Sequence, residues 1–122
     1  MPQMKPLDEK FPIELQIGIE AAPVVLVNLF TLDPADEERF LEVWKHDADF
    51  MKRQPGFIST QLHRALGSSA TLLNCAVWES TEAFRAAFTH PDFRAAITAY
   101  PSSIVARPHL FQKIGVTGIC TA

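Results

Sequence analysis

The run Pro-Val-Val-Leu-Val-Asn-Leu-Phe-Thr at positions 23–31 constrains the fold more than any other stretch of this 122-residue chain. It is rich in β-branched residues, which favour strands, and it is apolar at both odd and even positions. Because side chains alternate between the two faces of a strand, a strand of this kind has both faces covered. The chain therefore needs apolar partners on both sides of its sheet.

An amphipathic helix follows this first core strand and ends near Gln54. Asp33 is placed to cap it, Pro34 fits its first turn, and Pro55 with Gly56 breaks it. Apolar residues at helical spacing predict its buried stripe, and these are Phe40, Leu41, Trp44, Ala48 and Met51.

Two strands are predicted next, at 56–66 and 70–79, joined by the turn residues 67–69. Ser80 caps a second helix, and His90 with Pro91 starts a further short one.

The last core strand is predicted at 103–114. Pro108 within it indicates a sheet edge, a bulge or an unpaired side of the strand, because proline has no backbone N–H to donate.

The two ends of the chain are interpreted as additions to this core. Residues 1–22 form an N-terminal extension in which 12–20 alternate apolar and polar side chains, the period of a half-buried strand. That strand is expected at a sheet edge or as an arm on a partner. The core domain is predicted over 23–114 and a short tail over 115–122.

The order β, α, β, β, α, β is that of a ferredoxin-like α+β fold, with an antiparallel sheet and both helices on one face. The other face is too apolar to be left in water, so we expect a homodimer in which two such sheets pack together.

Composition excludes several classes of function. A net charge of −3 and a pI near 5.7 argue against nucleic acid binding. No apolar run has the length of a signal peptide or a membrane span, which predicts a cytoplasmic protein without a membrane partner. Cys75 and Cys120 lack metal-ligand spacing, no two histidines stand at i, i+4, and phosphate-loop and dinucleotide motifs are missing, so neither a metal nor a cofactor is predicted.

Three short motifs resemble those of the antibiotic biosynthesis monooxygenase family. They are Pro-Gly-Phe at 55–57, Trp-Glu-Ser at 78–80 and Pro-Asp-Phe at 91–93, and the resemblance extends over about residues 23–113. It implies a dimeric α+β barrel. For the quinone-forming members it also implies oxidation of phenolic polycyclic compounds with dioxygen and without metal, flavin or haem.

The resemblance also assigns candidate residues. The quinone-forming members are similar in carrying an Asn and a Trp four residues apart, which Asn74 and Trp78 match. The haem-degrading branch carries an Asn at the position of Asn28, but its histidine ligand falls on Ile97. Haem ligation of that kind is therefore not supported.

Asn74, Trp78 and His63 are the candidate catalytic residues. Asn74 and Trp78 share strand parity and point to one side of the sheet. The amide is either satisfied within the core or stabilises negative charge on oxygen, and the indole either fills the core or stacks on an aromatic substrate. His63, on a strand face shared with Phe57, Ser59 and Gln61, is either a surface residue or the base that removes a phenolic proton.

Asn28, Trp44, Phe88 and Tyr100 are the candidate substrate-binding residues. For each of them, core packing competes with cavity lining. We therefore predict a cofactor-independent monooxygenase that oxidises an aromatic or quinol-type small molecule. The alternatives are a non-catalytic dimeric binder of a small hydrophobic metabolite and, less favoured, a haem-degrading monooxygenase.

Overall fold

A computed structural model of the chain describes residues 2–122, so only Met1 of the predicted extension lies outside it. The elements, in chain order, are β1 Gln3–Met4, α1 Ile13–Gln16, β2 Val24–Thr31, α2 Glu37–Lys52, β3 Phe57–Arg64, β4 Thr71–Trp78, α3 Thr81–Phe88, α4 Pro91–Ala96 and β5 Val105–Phe111.

The strands form one sheet in the order β1-β5-β2-β4-β3. β2 lies between β4 and β5, β4 also pairs with β3, and all three pairings are antiparallel. Without β1, this is the predicted ferredoxin-like α+β arrangement, and the prediction is confirmed.

The helices α2, α3 and α4 cover one face of the sheet. Both buried apolar clusters lie between that face and the helices, one around Trp78 and Phe84 and the other around Phe40 and Tyr100. The opposite face carries partly exposed apolar side chains, which are Val25, Val27, Leu29, Leu73 and Val77.

The predicted caps form. The backbone N–H of Ala35 donates to Asp33 Oδ1 at 3.0 Å in the turn that leads into α2. The N–H of Ala83 donates to Ser80 Oγ at 3.1 Å and starts α3. Each bond satisfies one of the backbone donors that a helix start leaves without a partner.

The predicted strand at 12–20 is wrong. Residues 13–16 form the one-turn helix α1, in which Ile13 and Gln16 are buried. The side chain of Gln16 reaches three partners, donating from Nε2 to the carbonyl of Phe11 at 2.6 Å, accepting from the N–H of Leu110 at 2.7 Å, and lying 3.0 Å from His109 Nδ1. A helical turn brings positions i and i+3 to one side, so these contacts override the alternating pattern.

The extra edge strand lies earlier in the extension, at β1. It runs parallel to β5, and the N–H groups of Gln3 and Lys5 donate to the carbonyls of Ile104 and Ala106, both at 2.9 Å. On β5, Pro108 has the same strand parity as Ile104 and Ala106, so its backbone also faces the β1 side of the sheet, but it lies beyond the end of β1. Its missing donor therefore faces an unpaired edge, as predicted.

Gly56 holds the turn between α2 and β3 against α3. Its φ of 86° lies in the left-handed region, and a Cβ there would overlap the methyl group of Ala83. Its carbonyl accepts from the N–H of Glu79 at 2.8 Å.

A bulge between Phe57 and Ser59 reverses the side-chain parity of β3. Phe57 is paired with Trp78 on the helix side, whereas Gln61 and His63 point away from the helices, opposite Cys75 and Leu73. The prediction that His63 shares a face with Phe57 is therefore wrong.

Among residues 2–122, no helix is both long and apolar enough to cross a membrane.

Candidate functional site

A cavity of about 110 Å³ lies between the helix-covered face of the sheet and the helices. β2 and β4 supply one wall, from which Asn28, Asn74 and Trp78 reach the cavity. Aromatic and aliphatic side chains make up most of the remaining lining. An apolar cavity with a few polar groups is the usual form of a small-molecule site.

Several polar groups of this cavity lack partners. Among the described residues, four buried side-chain atoms have no hydrogen bond, namely Asn28 Oδ1, Trp78 Nε1 and both carboxylate oxygens of Asp47. All three residues line the cavity. Buried polar atoms are nearly always paired, and leaving one unpaired costs about 1 to 3 kcal/mol. Their convergence on one cavity is what a site for a polar-edged ligand requires.

Asn28 and Asn74 are direct cross-strand partners in the register of β2 and β4. The hydroxyl of Thr60, on β3, donates to Asn74 Oδ1. Since the oxygen of that amide is engaged, its NH₂ group is the end left to donate to a ligand. The two amides therefore offer complementary chemistry, an acceptor at Asn28 and a donor at Asn74.

Trp78 is 1% exposed and its ring is held by two aromatic neighbours. The centroids of Phe57 and Phe84 lie 5.4 and 5.8 Å from that of Trp78, both in edge-to-face geometry. These contacts fix the ring, so the indole N–H has a defined direction. Trp78 thus presents a rigid donor to the site.

Asp47, on α2, is the titratable group of the cavity that the sequence analysis missed. It is 5% exposed, and burial raises the pKa of its carboxyl from 3.8 to about 6. The donor hydroxyl of the neighbouring Tyr100 and electrostatic attraction to His46 act in the opposite direction and are outweighed by burial. Burial, with Asp47 beside it, also raises the pKa of Tyr100, which stays a neutral hydroxyl. A carboxylate with such a pKa is well suited to take up and return a proton near neutral pH.

A signal for Asp47 does exist in the sequence. It stands four residues after Val43 and four before Met51, within the apolar stripe of α2. The predicted stripe was centred slightly to one side, on Leu41, Trp44 and Ala48. It included Phe40 but left out Val43 and Asp47, the other two buried residues of α2.

The structure brings six of the seven candidate residues to the cavity, and these are Asn28, Trp44, Asn74, Trp78, Phe88 and Tyr100. His63 is not among the lining residues. It is exposed on the other face of the sheet, where its Nδ1 lies 3.3 Å from the carbonyl oxygen of Leu73.

Ile97 lines the cavity, and no histidine of residues 2–122 does so. In the same part of the chain, no group of three or more His, Cys, Asp or Glu side chains is arranged to hold a metal ion.

Comparison with known proteins identifies the family. The chain belongs to the antibiotic biosynthesis monooxygenase family, which matches residues 23–99, and the predicted resemblance is confirmed.

Individual relatives are similar over most of their length. Deoxynogalonate monooxygenase of Streptomyces nogalater is 36% identical over 88 residues, which cover 72% of this chain and 74% of the relative. The crystal structure of SnoaB, a cofactor-independent oxygenase from the same species, is 32% identical with a TM-score of 0.72, over 80% of this chain and 99% of that one. A putative monooxygenase from Shewanella loihica is 34% identical with a TM-score of 0.67, over 81% and 100% of the two chains.

Proposed function

We propose that this protein is a cofactor-independent monooxygenase that oxidises a small aromatic or quinol-type compound with dioxygen. The observation that carries the proposal is the set of unpartnered polar atoms on Asn28, Asp47 and Trp78, which all line one apolar cavity. The similarity to a cofactor-independent oxygenase and to a deoxynogalonate monooxygenase supports the reaction class.

Each polar group has a role that fits such a reaction. Asn28 Oδ1 accepts a hydrogen bond from a substrate hydroxyl. The NH₂ group of Asn74 and the N–H of Trp78 donate to an oxygen that becomes negatively charged as dioxygen is reduced. Fixed donors in a dry site stabilise such charge far more than water does, because they need no reorganisation.

The size of the cavity bears on the substrate. A cavity of 150 Å³ in another protein accommodates benzene, so about 110 Å³ holds at most one ring. The remainder of a polycyclic substrate must extend towards solvent. Met4 is the most exposed of the lining residues, and β1 is the side from which we expect a larger substrate to enter.

The proposal includes a homodimer. The partly exposed apolar side chains on the helix-free face of β2 and β4 fit the contact surface of a second copy.

Oxygen uptake tests the function. Purified protein is incubated with a dihydroanthracenone and with a one-ring quinol, and dioxygen consumption is compared with the uncatalysed rate. We expect catalysis, and we expect Asn74→Ala to lower kcat by about 100-fold, the usual effect of removing one such donor. Gln112→Ala is the matched control, because it removes an exposed amide that lies outside the strands and does not line the cavity.

Uptake at the uncatalysed rate with every compound of such a panel would reject the proposal. If the same compounds nonetheless bind and Asn74→Ala weakens their binding, the alternative of a non-catalytic binder of a hydrophobic metabolite takes its place.

A further inference from the structure

We propose that the carboxylate of Asp47 is the base of this site, that it removes the proton of a phenol or of an activated C–H group, and that it returns the proton to the peroxide that forms. This inference rests on the function proposed above and assigns the proton-transfer step within it. It replaces His63 in the role of base.

The geometry of Asp47 favours a reactive role over a structural one. Its side chain projects from α2 into the cavity, both of its oxygens lack hydrogen-bond partners, and none of the ion pairs among residues 2–122 includes it. A buried carboxylate normally has several donors around it, because an unpaired one is strongly destabilising. The hydroxyl of Tyr100 is a neutral donor beside this carboxylate, but it supplies no counter-charge, so a ligand is expected to be the remaining partner.

Two titratable groups interact with Asp47. Tyr100, which follows the helical segment after α4, lies beside it and also lines the cavity, whereas His46 is its exposed neighbour on α2. The pKa of Asp47, about 6, leaves the group mostly ionised at neutral pH and yet basic enough to accept a proton. Because the pKa of Tyr100 is raised, its hydroxyl remains a neutral donor.

No other lining residue among those described titrates near neutral pH. The cavity wall contains Asp47 and Tyr100 as its ionisable side chains, and the rest are amides, a threonine and apolar groups. His63 would have to act through the sheet. The choice of base therefore follows from position.

The proposed reaction balances with dioxygen as the co-reactant. Asp47 takes one proton from a CH₂ group activated by a neighbouring ring or carbonyl, and the carbanion passes one electron to dioxygen. The resulting radical and superoxide form a C–O bond, and protonated Asp47 gives its proton to the distal oxygen. Asp47 then removes the second C–H proton as the O–O bond breaks and passes it to the departing hydroxide, so that CH₂ and O₂ become C=O and H₂O and the carboxylate is restored.

The first test is the pH profile of kcat/KM. For the wild-type protein we expect a tenfold rise per pH unit up to about pH 6 and a plateau above it. In Asp47→Asn, we expect kcat/KM to show no such rise with pH. Its rate at neutral pH should be lower than that of the wild type by at least about 100-fold. Asp49→Asn, the same change on the exposed side of α2, is the control and should match the wild type. Wild-type activity in Asp47→Asn would overturn the proposal.

A binding measurement separates this proposal from the function on which it rests. The probe is 2,4-dinitrophenol, which is an anion across the range from about pH 6 to 8 and mimics the deprotonated substrate. Because Asp47 must take up a proton to accept this anion, we expect the wild-type Kd to weaken about tenfold per pH unit above pH 6. The Kd of Asp47→Asn should be independent of pH.

The outcomes are distinct. A pH-independent wild-type Kd, or no binding, overturns the role of Asp47. Proton-coupled binding without turnover of any substrate rejects the monooxygenase function and leaves Asp47 as a proton-accepting group of a binding site. Melting temperatures of both variants show whether a loss comes from misfolding.

Discussion

Asp47 makes the stability of the folded chain depend on pH. Its pKa is about 6 when folded and 3.8 ordinarily, so between these values the native state holds a proton that the unfolded chain has released. The free energy of unfolding therefore falls as pH rises through this window. Below the window the burial of Asp47 costs nothing, because the group is protonated in both states, and above it the full cost of burying the charged carboxylate remains.

Asp47→Asn removes this penalty. Between about pH 4 and 7.5, we expect the free energy of unfolding to fall less in Asp47→Asn than in the wild type. The difference between the two falls should be on the order of 2 kcal/mol. Urea unfolding at both pH values measures the difference, with Asp49→Asn following the wild type. Equal pH dependence of the wild type and Asp47→Asn would show that the carboxylate titrates normally.

Gly56 and Gly67 separate two costs of replacing a glycine. Both have positive φ, but a Cβ at Gly56 would overlap Ala83 whereas Gly67 faces open space. Gly67→Ala is expected to lose about 1 kcal/mol from backbone strain alone, and Gly56→Ala roughly 2 to 4 kcal/mol. Urea denaturation of the two variants checks this, and similar losses would mean that the contact between Gly56 and α3 relaxes without cost.

The sequence indicates some of the site residues directly and hides others. Period-two alternation was enough to place Asn74 and Trp78 on one face, because β4 is regular over that stretch. His63 was misplaced because a bulge is one extra residue that leaves no clear mark in the pattern. Asp47 was missed because the spacing of apolar residues on α2 fits two slightly different stripes, and only packing against the sheet decides which of them is buried.

At the scale of elements, predictions succeeded where local contacts decide the structure. The start of α3 depends on a bond between Ser80 and a backbone N–H three residues later, so the sequence was sufficient. α1 depends on contacts of Gln16 with β5, more than ninety residues away in the chain. β1 has two residues and exists only because β5 has a free edge. Such long-range contacts leave no local signal.

β1 is also the element that we expect to limit substrate size. Pro2 and Met4 line the cavity, and the segment that carries them lies outside the part of the chain that matches the family. β1 pairs with β5 over two residues, whereas α1 is anchored by Gln16. The N-terminal extension is therefore attached firmly at α1, whereas β1, the part that lines the cavity, has few contacts that hold it in place.

Met4→Ala removes part of this wall. We expect the ratio of Kd values for a one-ring and a three-ring phenol to shift by about tenfold in favour of the larger ligand, the scale of a small change in an apolar pocket. Gln3→Ala is the control, since Gln3 does not line the cavity. Equal shifts in the two variants would show that β1 does not select by size.

At the scale of the whole molecule, the helix-free face of the sheet is an apolar surface that the helices leave uncovered. Val27 lies near its centre, because its strand β2 has neighbours on both sides and its register partners there are Cys75 and His109. If two copies pack through this face, a carboxylate at position 27 is removed from water among apolar side chains, which costs several kcal/mol in each subunit.

Val27→Asp is therefore expected to convert a dimer into a monomer. Light scattering after size-exclusion chromatography should give twice the 13.6 kDa chain mass for the wild type and the single chain mass for the variant. Leu66→Asp introduces the same charge at a side chain that is 94% exposed, and it should leave the dimer intact. A monomeric wild type would mean that one chain tolerates this face in water, whereas a dimeric Val27→Asp would place the contact elsewhere. Because the cavity described here is lined from a single chain, the variant should still bind 2,4-dinitrophenol, which distinguishes dissociation from unfolding.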